Sequence, residues 1–448
     1  MSAWTKDTLV DKVFSAGVVG AGGAGFPTHK KLADGVEMLV VNAVECEPLL
    51  ASDRYVMRQF PGEIVEGIAA VLDALSIPRA VIGVKRHNTE EVAALHDAIA
   101  ASGRAPITLH ELDSFYPAGD EQILIYEITG RTVPPGGIPL NLGIVVINVT
   151  TALAIAHALR DEPMTRRYIT VNGAVAEPVI VDAPVGATPA DLIAAAGGAT
   201  IDEFQLVRGG PLMGRQSPGS TAADFGYGKA DGGLLVLPLD NPVVTLLAKP
   251  KARVVAEAKS ICIQCSLCTE MCPRYLIGHQ MRPHRVMRSV AVPGHSEDLL
   301  DALLCVECGV CELFACPMGL SPRQMNILAK NELRAAGIRT GDTTIHPEYT
   351  ALRDNRRIAQ SRFIERLHLD DYPAKVIRVV TCEPDLVRIP VRHGVGRPST
   401  PVVAEGETVR AGQVIAEVAR DDVGSLVHAS IDGVVTAVGP EHIVVERR

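Results

Sequence analysis

The sequence predicts a multidomain chain of mixed class: α/β first, α+β in the middle, all-β at the end. Three observations predict it. Strand-length apolar runs alternate with helical periodicity over roughly residues 1–160. Eight of the ten cysteines crowd into two short runs between Cys262 and Cys316. Short alternating strands broken by glycine turns fill residues 376–448.

A chain of 448 residues has room for two to four domains with buried cores. Its net charge of −9 disfavours nucleic acid as a partner, since that needs a basic surface. The first residues lack a basic start followed by an apolar core. No apolar run reaches the ~20 residues of a membrane span. The expected location is cytoplasmic. Clustered cysteines there favour metal ligation over disulfides.

Within residues 1–160, Lys6–Gly17 reads as a helix leading into a glycine-rich loop, Gly20-Ala-Gly22-Gly23-Ala-Gly25-Phe26-Pro27-Thr28. The loop formally matches GxGxxG. A dinucleotide-binding fingerprint needs a strand before it and a helix after it, and neither is predicted. The alternative is a loop whose bare amides approach a phosphate or a flat ring. A buried strand follows at Val36–Val44 and ends in Asn42-Ala-Val-Glu45-Cys46-Glu47-Pro48. Polar groups at the carboxyl end of a buried strand are a common ligand position; a plain strand-to-loop turn is the competing reading. Residues 62–76 and 85–102 read as helices, Val81–Val84 and Ile144–Val149 as further strands.

Residues 161–248 change character. A hairpin begins at Tyr168, and Thr188 with Pro189 opens a short helix. Arg208-Gly-Gly-Pro-Leu-Met-Gly214 follows another strand. This β–β–α–β unit carries no evident chemistry, and a structural role is expected.

Residues 249–335 hold the cysteines. The runs are Cys262-x2-Cys265-x2-Cys268-x3-Cys272-Pro and Cys305-x2-Cys308-x2-Cys311-x4-Cys316-Pro. This spacing suits two [4Fe–4S] clusters, in which the fourth cysteine of each run ligates the other cluster. One cluster is therefore expected on Cys262, Cys265, Cys268 and Cys316, the other on Cys305, Cys308, Cys311 and Cys272. Zinc is the competing reading, but zinc sites usually pair two CxxC knuckles or add histidines. Cys46 and Cys382 stand alone, and a buried structural thiol is expected for Cys382. Basic residues in Lys249–Lys259 and Arg274–Arg288 flank the first run, either steering an acidic partner or offsetting cluster charge.

Residues 336–375 form a polar, arginine-rich connector. No lysine occurs after Lys375, so the last unit cannot carry biotin or lipoate by the usual amide.

Four blocks carry a family resemblance: Gly20–Thr28, Asn42–Pro48 with Asp53-Arg54-Tyr55, Tyr116-Pro-Ala-Gly119-Asp120-Glu121, and Val145-Val-Ile-Asn148-Val-Thr-Thr151. In that order they resemble the flavin-binding subunit of respiratory complex I, and more closely the C subunit of the Rnf electron-transport complex. The resemblance implies FMN bound non-covalently by Gly20, Gly22, Gly23, Lys31, Asn42, Tyr116, Gly119, Asn148 and Thr151, with Gly25 and Asp120 in the same blocks. Phe26, Glu45, Glu47 and Glu121 fall on positions lining an NADH pocket, the three glutamates as its catalytic set. Val44, Ala21, Asp120 and Ile147 depart from the pattern. Residues 161–248 resemble the SLBB β-grasp domain, and residues 376–448 a lipoyl-like barrel-sandwich hybrid. That barrel stands first in the Rnf protein and last here. This order resembles the PduS-type cobalamin reductases of propanediol-utilisation microcompartments.

The resemblance implies an enzyme that passes electrons from NADH through FMN and two [4Fe–4S] clusters to cob(III)alamin or cob(II)alamin. It also implies a microcompartment interior as location, and an adenosyltransferase or shell proteins as partners. An electron-entry subunit for another acceptor, and a non-enzymatic relay, are the alternatives.

Overall fold

The computed structural model describes residues 4–103, 106–292, 296–340 and 344–448. Four strands, β1 (Met38–Ala43), β2 (Ala80–Lys85), β3 (Ile107–Leu112) and β4 (Ile144–Asn148), form a parallel sheet ordered β3-β2-β1-β4. β1, β2 and β4 are apolar at nearly every position because both faces are covered. Leu39, Val41, Ala43 and Ile82 pack with the helices Pro61–Leu75 and Val149–Leu159. Met38, Val40 and Val81 pack instead with Ile123, Leu124 and Ile125 of the helix Glu121–Thr129. Each fully buried aliphatic side chain contributes about 1.5–3 kcal/mol. Gly67 allows the first two helices to touch, since a Cβ there would strike the Ala152 carbonyl.

β1 and β4 are neighbours although two strands separate them in sequence, so the winding direction reverses between them. Ligands of open α/β sheets bind at the carboxyl ends beside such a reversal. The register places Asn42 directly beside Asn148 at that point. The glycine loop approaches from outside the sheet. It follows the helix Lys6–Ser15, is closed by the bridge Val19–Pro27, and leads into the short turn Thr28–Lys30. The dinucleotide fingerprint therefore fails here, having neither its strand nor its helix.

The second unit is a six-stranded mixed sheet: Val379–Thr381, Val179–Pro184, Arg166–Gly173, Gly233–Pro238, Phe204–Arg208, Arg215–Pro218. Its helix Pro189–Ala195 starts at Thr188, whose hydroxyl accepts from the Asp191 amide. The outermost strand comes from beyond the connector and pairs in parallel with Val179–Pro184. The C-terminal residues form two small sheets around Val387, Ile389, Ile415, Val427, Val435 and Val445.

Two expectations about the seams need correction. The connector is no loose linker. Ile358–Ala359 pairs with Phe115–Tyr116, and Ile358, Phe363, Leu367 and Leu369 are buried in a shared core. Phe363 and Leu367 lie one helical turn apart in a stretch dominated by charge, which hid them. The C-terminal unit also docks on its neighbours. Val395 donates its amide to the Ala24 carbonyl at 3.0 Å, and Gly25 meets Gly394 so closely that neither tolerates a Cβ. Lys229, fully buried, donates to the Gly17 and Leu426 carbonyls, each at 2.8 Å, tying three units together. Burial lowers its pKa to about 7; a neutral amine has two donors for those two carbonyls.

Candidate functional site

The cysteines gather in two sets. Cys272, Cys305, Cys308 and Cys311 line one cavity of about 300 Å³, with Arg274 and Arg323 at its wall. Cys262, Cys265, Cys268 and Cys316 line another of about 330 Å³. Each set takes three cysteines from one run and the fourth from the other. Among the described residues, no three His, Cys, Asp or Glu side chains are placed to hold a single metal ion. The thiols ring a space instead of converging on a point, an arrangement that fits a cubane.

The two loops repeat each other in backbone. Gln264 and Ser266 between the first cysteines, and Glu307 and Gly309 between the second, all have positive φ. Three of the four are not glycine, and holding them there costs about 1–3 kcal/mol each. Such turns aim successive amides inward, as anion sites require. Amides already reach sulfur: Glu307 N lies 3.4 Å from Cys305 Sγ and Leu320 N 3.4 Å from Cys316 Sγ. Burial pushes the Cys272 thiol up to about 12 and those of Cys308 and Cys311 well above the usual range. Iron charge is what would keep such buried sulfurs as thiolates. The one-residue excess in the second run is absorbed by a π-helical turn, Val310–Ala315, where the first run has the α-turn Leu267–Glu270.

The sets differ in exposure. Cys308 and Cys311 are buried, whereas Cys265 is exposed beside Ile263, itself 62% exposed. The buried set abuts the first unit. Tyr116 donates its hydroxyl to the Cys308 carbonyl at 2.7 Å and lies 3.3 Å from Glu47 Oε1. Glu47 also accepts from the Leu212 amide at 2.9 Å, and Arg323 reaches the Leu212 carbonyl at 2.6 Å. Arg274, next after Cys272-Pro273, pairs with Asp120 at 3.0 Å and bonds Gln122.

The glycine loop sits at the sheet reversal. Thr151 Oγ1 accepts from the Ala21 amide at 2.9 Å, and Lys31 donates to the Val146 carbonyl at 3.1 Å. Asn148 caps the helix Val149–Leu159 and donates to Asp53 at 2.7 Å; Thr150 also donates to Asp53, at 2.8 Å. Asn42 donates to the Gly119 carbonyl at 2.8 Å. Gly119 is needed because a Cβ would press on Cys46 and the Val44 carbonyl. Gly20, Gly22, Gly23, Gly25, Phe26, Lys31, Asn42, Glu45, Asn148 and Thr151 thus belong to the loop or the nearby strand ends. Lys31 lies 5.9 Å from the Phe26 ring centroid. Glu47 and Tyr116 lie instead in the seam toward Cys308. The Asp120 carboxylate is engaged by Arg274 and by the Gln122 and Ile123 amides, as a helix cap. Glu121 opens that helix, half-buried.

These residues fit a flavin nucleotide. Gly22, Gly23 and Ala24 are exposed, and Gly23, at φ +104°, has open space where a side chain would stand. Lys31 has used one of three ammonium donors. Sequence reasoning missed Asp53 as a site residue, although the block containing it was singled out. It missed Arg167 entirely; nothing in a strand pattern signals a side chain that crosses to another unit.

Burial, then Asp53, raises Glu45 to about 8, and burial raises Glu47 to about 7. Both are protonated in the folded state at a pH where the unfolded chain has ionised. Stability therefore falls as pH rises from the ordinary value of 4.5 toward 8. Glu45→Gln makes that fall shallower, by up to about 1.4 kcal/mol per pH unit. Unfolding midpoints of the anaerobic protein across this window measure it; an unchanged slope contradicts a proton on Glu45.

Known proteins share these parts. Residues 13–157 match the Nuo51 FMN-binding domain, 168–216 the SLBB domain, 261–321 a 4Fe-4S dicluster domain, and 373–447 the RnfC barrel sandwich hybrid domain. Over 99% of its length the chain is 40% identical to the cobalamin reductase PduS of Citrobacter freundii, covering 97% of that protein, and equally to that of Salmonella typhimurium. It is 34% identical to the RnfC-type component of the ion-translocating oxidoreductase complex of Vibrio cholerae, over 62% of this chain and 35% of that one. An NAD+-reducing [NiFe]-hydrogenase structure in the H2-reduced state shares the fold, with TM-score 0.52 and 20% identity over 76% of this chain and 64% of that one. No helix among the described residues is long and apolar enough to cross a membrane.

Proposed function

The chain belongs to the family of the cobalamin reductase PduS, and from that premise we propose that this iron–sulfur flavoprotein oxidoreductase takes electrons from NADH and delivers them to the cobalt of cob(III)alamin or cob(II)alamin. The observation that carries the direction of flow is the Glu47–Tyr116–Cys308 seam, which sets the buried cysteine set against the glycine-loop unit while the other set reaches the surface.

When bound, FMN accepts two electrons from a nicotinamide and the clusters carry them singly. The chain's own residues do the rest. Amides of Gly22–Gly25 and the Lys31 ammonium bind phosphate or ring oxygens. Asn42 and Asn148 fix the adjacent strand ends. Glu45, protonated near neutral pH, lines the site without adding negative charge. Cys272, Cys305, Cys308 and Cys311 hold the inner cluster, and Cys262, Cys265, Cys268 and Cys316 the outer one. Ile263 and Cys265 are exposed where an acceptor would approach. A microcompartment setting, with shell or adenosyltransferase partners, belongs to the same proposal and rests on the relatives' kind.

The test uses purified anaerobic protein with NADH and cob(II)alamin and no other component. Loss of the cob(II)alamin spectrum at a rate proportional to protein supports the proposal. Flavin bleaching without corrinoid reduction would leave the entry half standing and overturn the acceptor.

A further inference from the structure

Arg167 belongs to the second unit, on the strand Arg166–Gly173, yet its side chain works in the first. It is 4% exposed. Its Nε donates to the Asp231 carbonyl at 3.1 Å, and one Nη reaches the Ala21 carbonyl, inside the glycine loop, at 3.4 Å. Its charge faces Asp53, Asp231 and Glu45. Asp53 in turn receives Asn148 and Thr150. A buried guanidinium is costly unless carboxylates and carbonyls compensate it. It has five donors, and the other Nη has no hydrogen bond among the described residues. The loop Gly20–Gly25 carries no charged side chain of its own.

We propose that Arg167 is a positioning residue through which the β-grasp unit completes the flavin site: it holds the glycine loop by the Ala21 carbonyl and balances the charge of Asp53 beneath Asn148. The inference rests on the reading that this loop holds FMN. It gives the β-grasp unit a role in cofactor binding rather than in packing alone. It also explains why a buried strand residue should be an arginine.

The experiment titrates flavin-depleted protein with FMN, following quenching of flavin fluorescence, with iron per chain as the control for folding. Arg167→Met weakens FMN binding by about tenfold or more, the scale of a lost hydrogen bond to a charged group, and Arg167→Lys weakens it less. Asp53→Asn in the Arg167→Met background restores part of the loss, because the uncompensated carboxylate is gone. Arg208→Met breaks the neighbouring Arg208–Asp231 pair (2.7 Å) without removing Arg167, and leaves FMN affinity within about twofold. Three results overturn the inference while leaving the flavin reading intact: unchanged affinity in Arg167→Met, an equal loss in Arg208→Met, or no restoration by Asp53→Asn. Failure of the wild-type protein to bind FMN overturns the flavin reading, and the inference with it.

Discussion

Cys272→Ser removes the cluster whose other three ligands lie in the second run, Cys305, Cys308 and Cys311. Cys272 sits four residues after Cys268, yet it lines the cavity of the other set. Iron falls from roughly eight to roughly four per chain, as expected for the loss of one of two cubanes. The paramagnetic signal that disappears is the one lost in Cys311→Ser, while Cys268→Ser loses the other. Because the lost cluster is the one against Tyr116, electron delivery from NADH to any acceptor beyond the flavin falls by at least about 100-fold, the mark of an essential redox link. If Cys272→Ser and Cys268→Ser lose the same signal, ligation is confined to single runs and the crossed arrangement is wrong.

Arg274→Met carries the largest expected cost in stability. The Arg274–Asp120 pair is buried, with side chains 6% and 15% exposed, and Arg274 also bonds Gln122. Removing the cation leaves Asp120 without its partner at the junction of the cluster unit and the flavin unit. Breaking a buried pair from one side costs about 3–5 kcal/mol. Asp120 keeps its two amide donors at the helix start, which limits the loss. The same change takes a positive charge from the cavity wall, so the inner cluster becomes harder to reduce. Chemical unfolding under anaerobic conditions reads the first effect and a redox titration the second. A cost below about 1 kcal/mol would contradict the buried-pair account.

The cysteine spacing carried its own meaning, because four thiolates per cubane impose a short loop that leaves a direct trace in the chain. The parallel sheet was legible for a similar reason: strands covered on both faces must be apolar at every position, as Val40 and Val41 are. Other features were hidden. The π-turn at Val310–Ala315 is a geometric response to one extra residue, and spacing alone does not say whether a loop bulges or a helix widens. The connector's buried Phe363 and Leu367 were masked by arginines whose aliphatic stems and charges occupy the same turns. Arg167 was invisible because its partners, Ala21 and Asp231, lie on separate units far away in sequence. Tyr116 was singled out for flavin, and its hydrogen bond to Cys308 gives it a place in the seam that no local pattern encodes.

The central claim is that electrons enter at the glycine-loop site and leave through both clusters. Anaerobic titration of the purified protein with NADH, followed by visible absorbance and by electron paramagnetic resonance on the same samples, tests it most directly. The expected result is that the flavin bleaches and that signals from the clusters grow in with substoichiometric additions, in wild type but not in Cys272→Ser for the inner one. Clusters that stay oxidised in wild-type protein while the flavin bleaches would contradict it.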